Sequence, residues 1–150
     1  MNLKIKNKRK CGDCTKCCEG WLKATVYGKK MYTGNPCHFK TKNGCSIYED
    51  RPKEPCKDFE CEWLVNEEIP EWLKPEYSNV ILSRETEKEF NFLRATEAGN
   101  KITVEVLNWL FLFMLKKRIN LCYQVSSGWN WIGSIEFVKY MESKNNETNN

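Results

Sequence analysis

The chain has 150 residues, a formal net charge of +4 and 41% hydrophobic residues. This length and composition suit one globular unit, or a small metal module joined to a modest core, and argue against a disordered chain. The most apolar stretch, residues 102–115, contains Glu105 and Asn108 and is 14 residues long. A membrane-spanning helix needs roughly 20 apolar residues, so we predict no membrane contact.

Residues 1–10 form a basic N-terminal arm, because five of these ten residues are Lys or Arg. Such an arm can contact phosphates, but a charge run alone supports a nucleic-acid partner only weakly. No apolar segment of the kind found in secretory signals follows the arm. We therefore expect a cytoplasmic protein whose thiols stay reduced.

Residues 11–63 form a cysteine-rich module that we interpret as metal-binding. The segment shows no sustained helix or strand period, so a metal rather than a hydrophobic core is expected to order it. The odd number of cysteines and their tight bunching argue against disulfides. The predicted metal ligands are the eight cysteines of this module: Cys11, Cys14, Cys17, Cys18, Cys37, Cys45, Cys56 and Cys61.

The spacing of the first four cysteines bears on the kind of metal centre. Thiolates around zinc, with bonds of about 2.3 Å, lie about 3.8 Å apart, and a two-residue gap in a tight turn allows that separation. Cys11, Cys14 and Cys17 repeat this gap, which is typical of iron–sulfur ligation, whereas zinc sites favour separated pairs. Cys18 is expected to point away from Cys17 toward a second centre or a bridge. Eight thiolates suit two four-coordinate sites, or one cluster and one zinc, and the spacing does not assign them.

Other side chains near the cysteines have two interpretations each. Four cations could donate hydrogen bonds to sulfur or be plain surface charges: Lys10, Lys16, Arg51 and Lys57. His38 could ligate zinc, but eight cysteines already satisfy two sites, so a solvent-facing histidine is expected. Three aromatic residues are expected to shield the centre from water: Tyr48, Trp63 and Trp72.

Residues 64–143 are predicted to form a small α+β region packed on the cysteine module, followed by a frayed polar tail at 144–150. Strands are expected at residues 78–84, 89–96, 121–126 and 129–132, and either a helix or a strand at 135–143. Residues 103–118 are predicted to form a helix that is apolar almost all round and is therefore expected to be well buried. The opening ITVEV (residues 102–106) alternates and could instead extend a hairpin, and periodicity does not settle this boundary. The predicted fold class is α+β, with an irregular metal-binding lobe and a small antiparallel sheet packed with one long helix. Cys122 is assigned to the core, and packing is favoured over ligand stacking for Trp129 and Trp131.

Together the cysteines and their neighbours resemble a known family, the CxxCxxCC or YkgJ-type cysteine-cluster family of zinc- or iron-chelating proteins. The resemblance is carried by Cys11-x-x-Cys14-x-x-Cys17-Cys18, Pro36-Cys37, residues 44–52 (GCSIYEDRP), Cys56 and residues 59–63 (FECEW). Residues 70–82 also resemble the segment after the cysteines in some members. Lys57 stands after Cys56 where the family leads us to expect Arg, which argues against a bidentate guanidinium contact there. The resemblance implies metal binding and supplies no substrate.

The sequence contains no P-loop, dinucleotide fingerprint or nucleophile elbow, so it gives no warrant for enzymatic activity. The first hypothesis is a protein that holds an iron–sulfur cluster, zinc or both, in a redox, sensing or accessory role, with a protein redox partner. The alternative is a zinc-stabilised binding module that contacts protein or nucleic acid. Iron–sulfur ranks ahead of zinc because of the repeated two-residue gap.

Overall fold

A computed structural model describes residues 9–149. Of the predicted basic arm, only Arg9 and Lys10 lie within these residues. The chain from residue 9 to 61 contains little regular structure, as expected for a segment without hydrophobic periodicity. Its elements are short: a 3-10 turn at Lys16–Cys18, strands β1 (Ala24–Val26), β2 (Lys29–Met31), β3 (Lys40–Thr41) and β4 (Gly44–Cys45), and a wide helical turn at Lys53–Lys57.

The rest of the chain is built around a four-stranded sheet, which confirms the α+β class. Strands β1 and β2, and separately β3 and β4, pair as small antiparallel hairpins, and the larger sheet has the strand order β5-β6-β7-β8. The elements after residue 61 are α1 (Glu62–Val65), a 3-10 turn at Glu71–Leu73, α2 (Pro75–Ser78), β5 (Val80–Glu87), β6 (Phe90–Glu97), α3 (Val104–Lys117), β7 (Asn120–Val125), β8 (Gly128–Ile132) and α4 (Ile135–Thr148).

The larger sheet is mixed, so the prediction of an antiparallel sheet with one long helix is wrong. Strands β6 and β7 pair in parallel, since α3 carries the chain back to the end of the sheet from which β6 started. One sheet face packs against α3 through residues such as Leu93 and Leu110, and the opposite face packs against α4 through Phe92 and Phe137. Two helices thus cover two faces.

Helix α3 lies within one residue of its predicted ends. The Thr103 side chain accepts a hydrogen bond from the Val106 N–H at 3.3 Å and caps the N-terminus. Arg118 adopts a left-handed conformation and ends the helix. The prediction that α3 is buried all round is wrong, because its outer face is exposed. No helix within residues 9–149 is long and apolar enough to cross a membrane.

Helix α4 runs through Thr148, so the predicted frayed tail from residue 144 is largely helical. Ser134 caps its N-terminus by accepting a hydrogen bond from the Phe137 N–H. Near its C-terminal end, Lys144 Nζ lies 2.5 Å from a Glu87 carboxylate oxygen on β5. Contact with the sheet therefore holds a segment whose own sequence is polar.

Polar contacts attach the cysteine module to the sheet region. Glu62 is buried, and Arg84 on β5 donates to its two carboxylate oxygens at 3.1 and 3.2 Å. The Arg9 guanidinium donates to backbone carbonyls of residues 63, 66 and 69. Lys16 donates to the Ala98 carbonyl at 3.2 Å. The module is therefore tied to the sheet region through both of its ends.

Candidate functional site

The segment that carries the first four cysteines folds into two consecutive tight turns. The Cys14 N–H donates to the Cys11 carbonyl at 3.0 Å, and the Cys18 N–H donates to the Thr15 carbonyl at 2.9 Å. Gly12 lies in the first turn with φ of +57°, a conformation that favours glycine. The predicted tight turn between the first two cysteines is therefore present.

The other four cysteines lie at four separate places between residues 37 and 61. Cys37 is tied to the first segment by a 2.9 Å hydrogen bond from its N–H to the Cys18 carbonyl. Cys45 ends β4, Cys56 lies in the turn at Lys53–Lys57, and Cys61 immediately precedes α1. Backbone structure thus presents the thiols from several directions.

All eight predicted ligands line one cavity of about 430 Å³. This cysteine cavity has mainly apolar walls that include Phe39, Ile47, Phe59 and Leu64, and Ile81 from β5 also contributes. Glu60 is the one carboxylate among its lining residues. The fold therefore surrounds a single space with eight sulfur donors.

The thiols share the cavity without forming a ready coordination group. Among residues 9–149, no three His, Cys, Asp or Glu side chains are placed so that they could hold a metal ion. All nine cysteines are free thiols, and none forms a disulfide. The structure thus gathers the predicted ligands around one space but does not bring them to a common point.

Cys17 lies within electrostatic range of thiols from separate parts of the cysteine module. A negative charge on Cys17 raises the pKa of Cys11, Cys14, Cys56 and Cys61. Cys17 itself is exposed and lines the cavity.

Other thiols also interact electrostatically across segments. Cys61 interacts with Cys11 and Cys14 as well as with Cys17. Cys56 interacts with Cys17, Cys37 and Cys45. The Cys18 side chain interacts with that of Cys17, so the expectation that Cys18 points away from Cys17 is wrong.

Burial keeps several of these thiols protonated. It raises the pKa of Cys61 to about 12, and it is also the main cause of the raised pKa values of Cys11, Cys14 and Cys56. The pKa of Cys17 is raised well above its ordinary value, first by a hydrogen bond with Cys18 and then by burial. Metal ligation requires thiolates, so loading of this cavity would release protons.

Arg51 is the predicted cation that bears most directly on the thiols. Its Nε donates to the Tyr48 carbonyl at 2.7 Å, and its guanidinium lies 3.8 Å from the centre of the Tyr48 ring. Its charge acts to lower the pKa of Cys11, Cys17 and Cys56, against the larger effect of burial. Arg51 also lines the cavity and is thus placed to stabilise thiolates from several segments.

The other three predicted cations differ in their positions. Lys57 lines the cavity. Lys16 lies elsewhere, where it pairs with Glu19 at 3.4 Å and donates to the Ala98 carbonyl. Lys10 is exposed and does not line the cavity.

Sequence reasoning missed Lys74. This lysine is buried, forms an ion pair with Glu76 and has its Nζ 5.1 Å from the centre of the Trp63 ring. Its charge lowers the pKa of Cys11. Lys74 is 56 positions or more from the first four cysteines, and no local pattern in the sequence could have indicated its approach.

Of the three aromatic residues predicted to shield a metal centre, Tyr48 lines the cavity, whereas Trp63 and Trp72 do not. Trp63 is buried in the main core cluster instead. Shielding by Tyr48 stays a prediction. His38 is exposed, with its Nε2 3.3 Å from Lys29 Nζ, as expected for a solvent-facing histidine. Cys122 is buried in the sheet, and burial raises its pKa to about 11, which confirms its assignment to the core.

Comparisons of the chain with family models, with curated proteins and with solved structures find no match.

Proposed function

We propose that this protein binds metal through the eight thiols of the cysteine cavity and holds an iron–sulfur cluster, zinc or both. The observation that carries the proposal is that eight thiols from separate parts of residues 11–61 line one cavity. In a redox role the bound group would transfer electrons, and in a sensing or accessory role its binding would change the conformation of the cysteine module. The resemblance to the CxxCxxCC family points the same way.

The chemistry of the donor set fits soft or borderline metals. Thiolates select zinc and iron–sulfur clusters, whereas carboxylates and carbonyls suit magnesium and calcium. The cavity offers eight sulfur atoms and a single carboxylate, from Glu60. Arg51 would offset part of the negative charge that eight thiolates carry. These residues are therefore suited to a thiolate-bound centre.

The spacing of the first thiols keeps iron–sulfur ahead of zinc in this proposal. Cys11, Cys14 and Cys17 repeat the two-residue gap that is typical of iron–sulfur ligation, whereas zinc sites favour separated pairs. Iron–sulfur therefore remains the first candidate.

The cysteine module has few buried hydrophobic residues that would resist movement of its thiols when metal binds. Val26 and Met31 are the buried hydrophobic residues of the described part of the chain before α1. Bound metal would therefore stabilise the cysteine module, as it commonly does in small metal-binding domains.

The test is the metal content of protein purified without oxygen and in the presence of reductant. We expect iron and acid-labile sulfide, or zinc, in stoichiometric amounts, with visible absorption if a cluster is present. Zinc without iron would favour the alternative of a zinc-stabilised binding module. A folded protein with neither metal would contradict both.

A matched pair of variants distinguishes the cavity from thiols in general. Cys56→Ala removes a cavity thiol and should lower the metal content. Cys122→Ala removes the buried thiol of the sheet, which does not line the cavity, and should leave the metal content per folded chain unchanged. Equal losses in the two variants would argue against the assigned ligands.

A further inference from the structure

The outer face of α3 is apolar and exposed. Val104, Leu112 and Leu115 are 72%, 68% and 66% exposed, on the side of the helix opposite the buried Val106 and Leu110. Exposed apolar residues that stand alone are ordinary, but a contiguous patch on one helix face marks a contact surface. We call the face formed by Val104, Asn108, Phe111, Leu112 and Leu115 the α3 outer face. Phe111 lies at its edge and is half-buried, with its ring centre 5.5 Å from that of Tyr123.

The spacing of this face is symmetrical. Val104, Asn108, Phe111 and Leu115 follow one another at intervals of four, three and four residues, which places them in one line along a helix. If two copies of α3 pack antiparallel about a two-fold axis, Val104 of one copy meets Leu115 of the other. In the same arrangement Asn108 meets Phe111, so the face is complementary to itself.

The charges beside the face can pair in the same arrangement. Glu105 and Lys116 are both exposed and lie on the same side of the apolar line. The two-fold axis that places Val104 opposite Leu115 leaves Glu105 of one copy two residues, about 3 Å along the helix, from Lys116 of the other, which is within reach of these long side chains. Within residues 9–149 neither side chain forms an ion pair, although the charge of Lys116 also acts on Glu68.

We propose that the α3 outer face is the interface of a homodimer in which the two α3 helices pack antiparallel. A 14-residue helix is about 21 Å long, and a contact of this size is smaller than a standard stable interface. The dimer is therefore weak and dissociates on dilution. Self-complementary spacing together with charge pairing favours a second copy over an unrelated protein.

A membrane surface fits the face less well. Asn108 lies on the apolar line and Glu105 lies beside its N-terminal end, while the cations Lys116 and Lys117 are confined to its C-terminal end. Interfacial helices carry cations along the polar face. Binding of the protein to vesicles of anionic lipid is accordingly an outcome that would overturn the proposal.

The first test measures mass against concentration by sedimentation velocity, in reductant so that disulfide-linked species are absent. The wild-type chain should shift from monomer toward dimer as concentration rises. Leu115→Glu places a carboxylate in the contact and should keep the protein monomeric, with an unchanged circular dichroism spectrum. A wild-type protein that stays monomeric at all concentrations would overturn the proposal.

The second test exchanges charges and depends on the antiparallel arrangement. Glu105→Lys and Lys116→Glu each place like charges opposite one another and should weaken the dimer by about tenfold. The double variant restores opposite charges and should return the dissociation constant close to the wild-type value. Failure of the double variant to restore the dimer would contradict the antiparallel pairing.

A control for the first charge change lies on α4. Glu136 is an exposed carboxylate in the first turn of its helix, as Glu105 is in α3. Glu136→Lys carries the same cost at a helix N-terminus and should leave the dimer unchanged. An equal loss in this variant would show that Glu105→Lys acts through helix stability or net charge, and the proposed contact would fail.

Discussion

Gly20 occupies a position between the cysteine turns and strand β1 where no side chain fits. Its φ is +102°, and a Cβ atom there would lie 2.2 Å from the Tyr32 carbonyl oxygen. Because the carbonyl oxygen belongs to the backbone, this clash could be relieved only by a shift of the backbone at residue 20 or at Tyr32. Gly28, in the β1–β2 turn, also has a positive φ of +78° but meets no heavy atom within 4 Å.

Comparison of Gly20 with Gly28 distinguishes the cost of a side chain in a left-handed backbone conformation from the cost of a steric clash. Gly28→Ala should cost about 1 kcal/mol, because a left-handed conformation disfavours a side chain. Gly20→Ala adds a backbone clash and should cost roughly 3 kcal/mol or more, with the loss confined to the cysteine module. Urea unfolding combined with limited proteolysis measures both effects. Similar losses for the two variants would show that the Tyr32 backbone yields easily.

At the scale of elements, α4 is held to the sheet by apolar and polar contacts at different places. Phe137 and Met141 pack on Phe92 and Cys122, on the sheet face that α4 covers. Glu87, at the end of β5, accepts hydrogen bonds from Lys144 and from the Tyr140 hydroxyl, at 2.5 and 2.7 Å. The polar contacts therefore anchor the half of α4 that lacks apolar residues.

This anchor should depend on pH. The hydrogen bond from Lys144, followed by that from Tyr140, holds the pKa of Glu87 below its ordinary value. A lowered pKa in the folded protein stabilises it above the unfolded value of about 4.3, and this stability is lost as pH falls through the folded pKa. Because the pair is partly exposed, we expect about 0.5 kcal/mol.

Comparison with Glu87→Gln isolates this effect from other acids. The difference in unfolding free energy between wild type and the variant should be largest near neutral pH and shrink below about pH 4. Urea unfolding at several pH values gives this difference. Parallel curves for the two proteins would mean that the Glu87 contacts contribute nothing to stability.

At the scale of the whole molecule, the sheet region and the cysteine module are stabilised in different ways. The sheet region has a continuous hydrophobic core that includes Ile69, Leu73, Leu110 and Leu121, all with no exposed surface. The cysteine module has no comparable core and is attached by polar contacts such as that between Glu62 and Arg84. If metal orders the module, the two regions should respond differently to its loss.

Cys61→Ser tests this difference under the proposed metal function. Loss of one thiol should lower metal retention and make residues 11–60 sensitive to protease, while the fragment beginning at α1 stays protected. Mass spectrometry of the fragments identifies the cleaved region. Removal of metal from the wild type by a chelator should give the same pattern. Protection unchanged in both cases would contradict a stabilising role for metal.

Much of the C-terminal region is determined by local sequence. The sequence predicts α3 from its apolar run, which ends in Lys116 and Lys117 where cations favour the helix dipole. The strands were predicted from alternating or apolar runs, and these preferences depend only on neighbouring residues. The turn at the first cysteines was likewise expected from their two-residue spacing. The metal itself stays a prediction.

Tertiary structure decided what depends on residues far apart in the chain. Three such features are the parallel pairing of β6 and β7, the exposure of the α3 outer face and the approach of Lys74 to Cys11. The α4 helix extends through a polar segment because Glu87 lies where Lys144 can reach it. Sequence by itself determined the local elements and the supply of thiols, since these depend on near neighbours. Their arrangement around one cavity depends on how the whole chain packs.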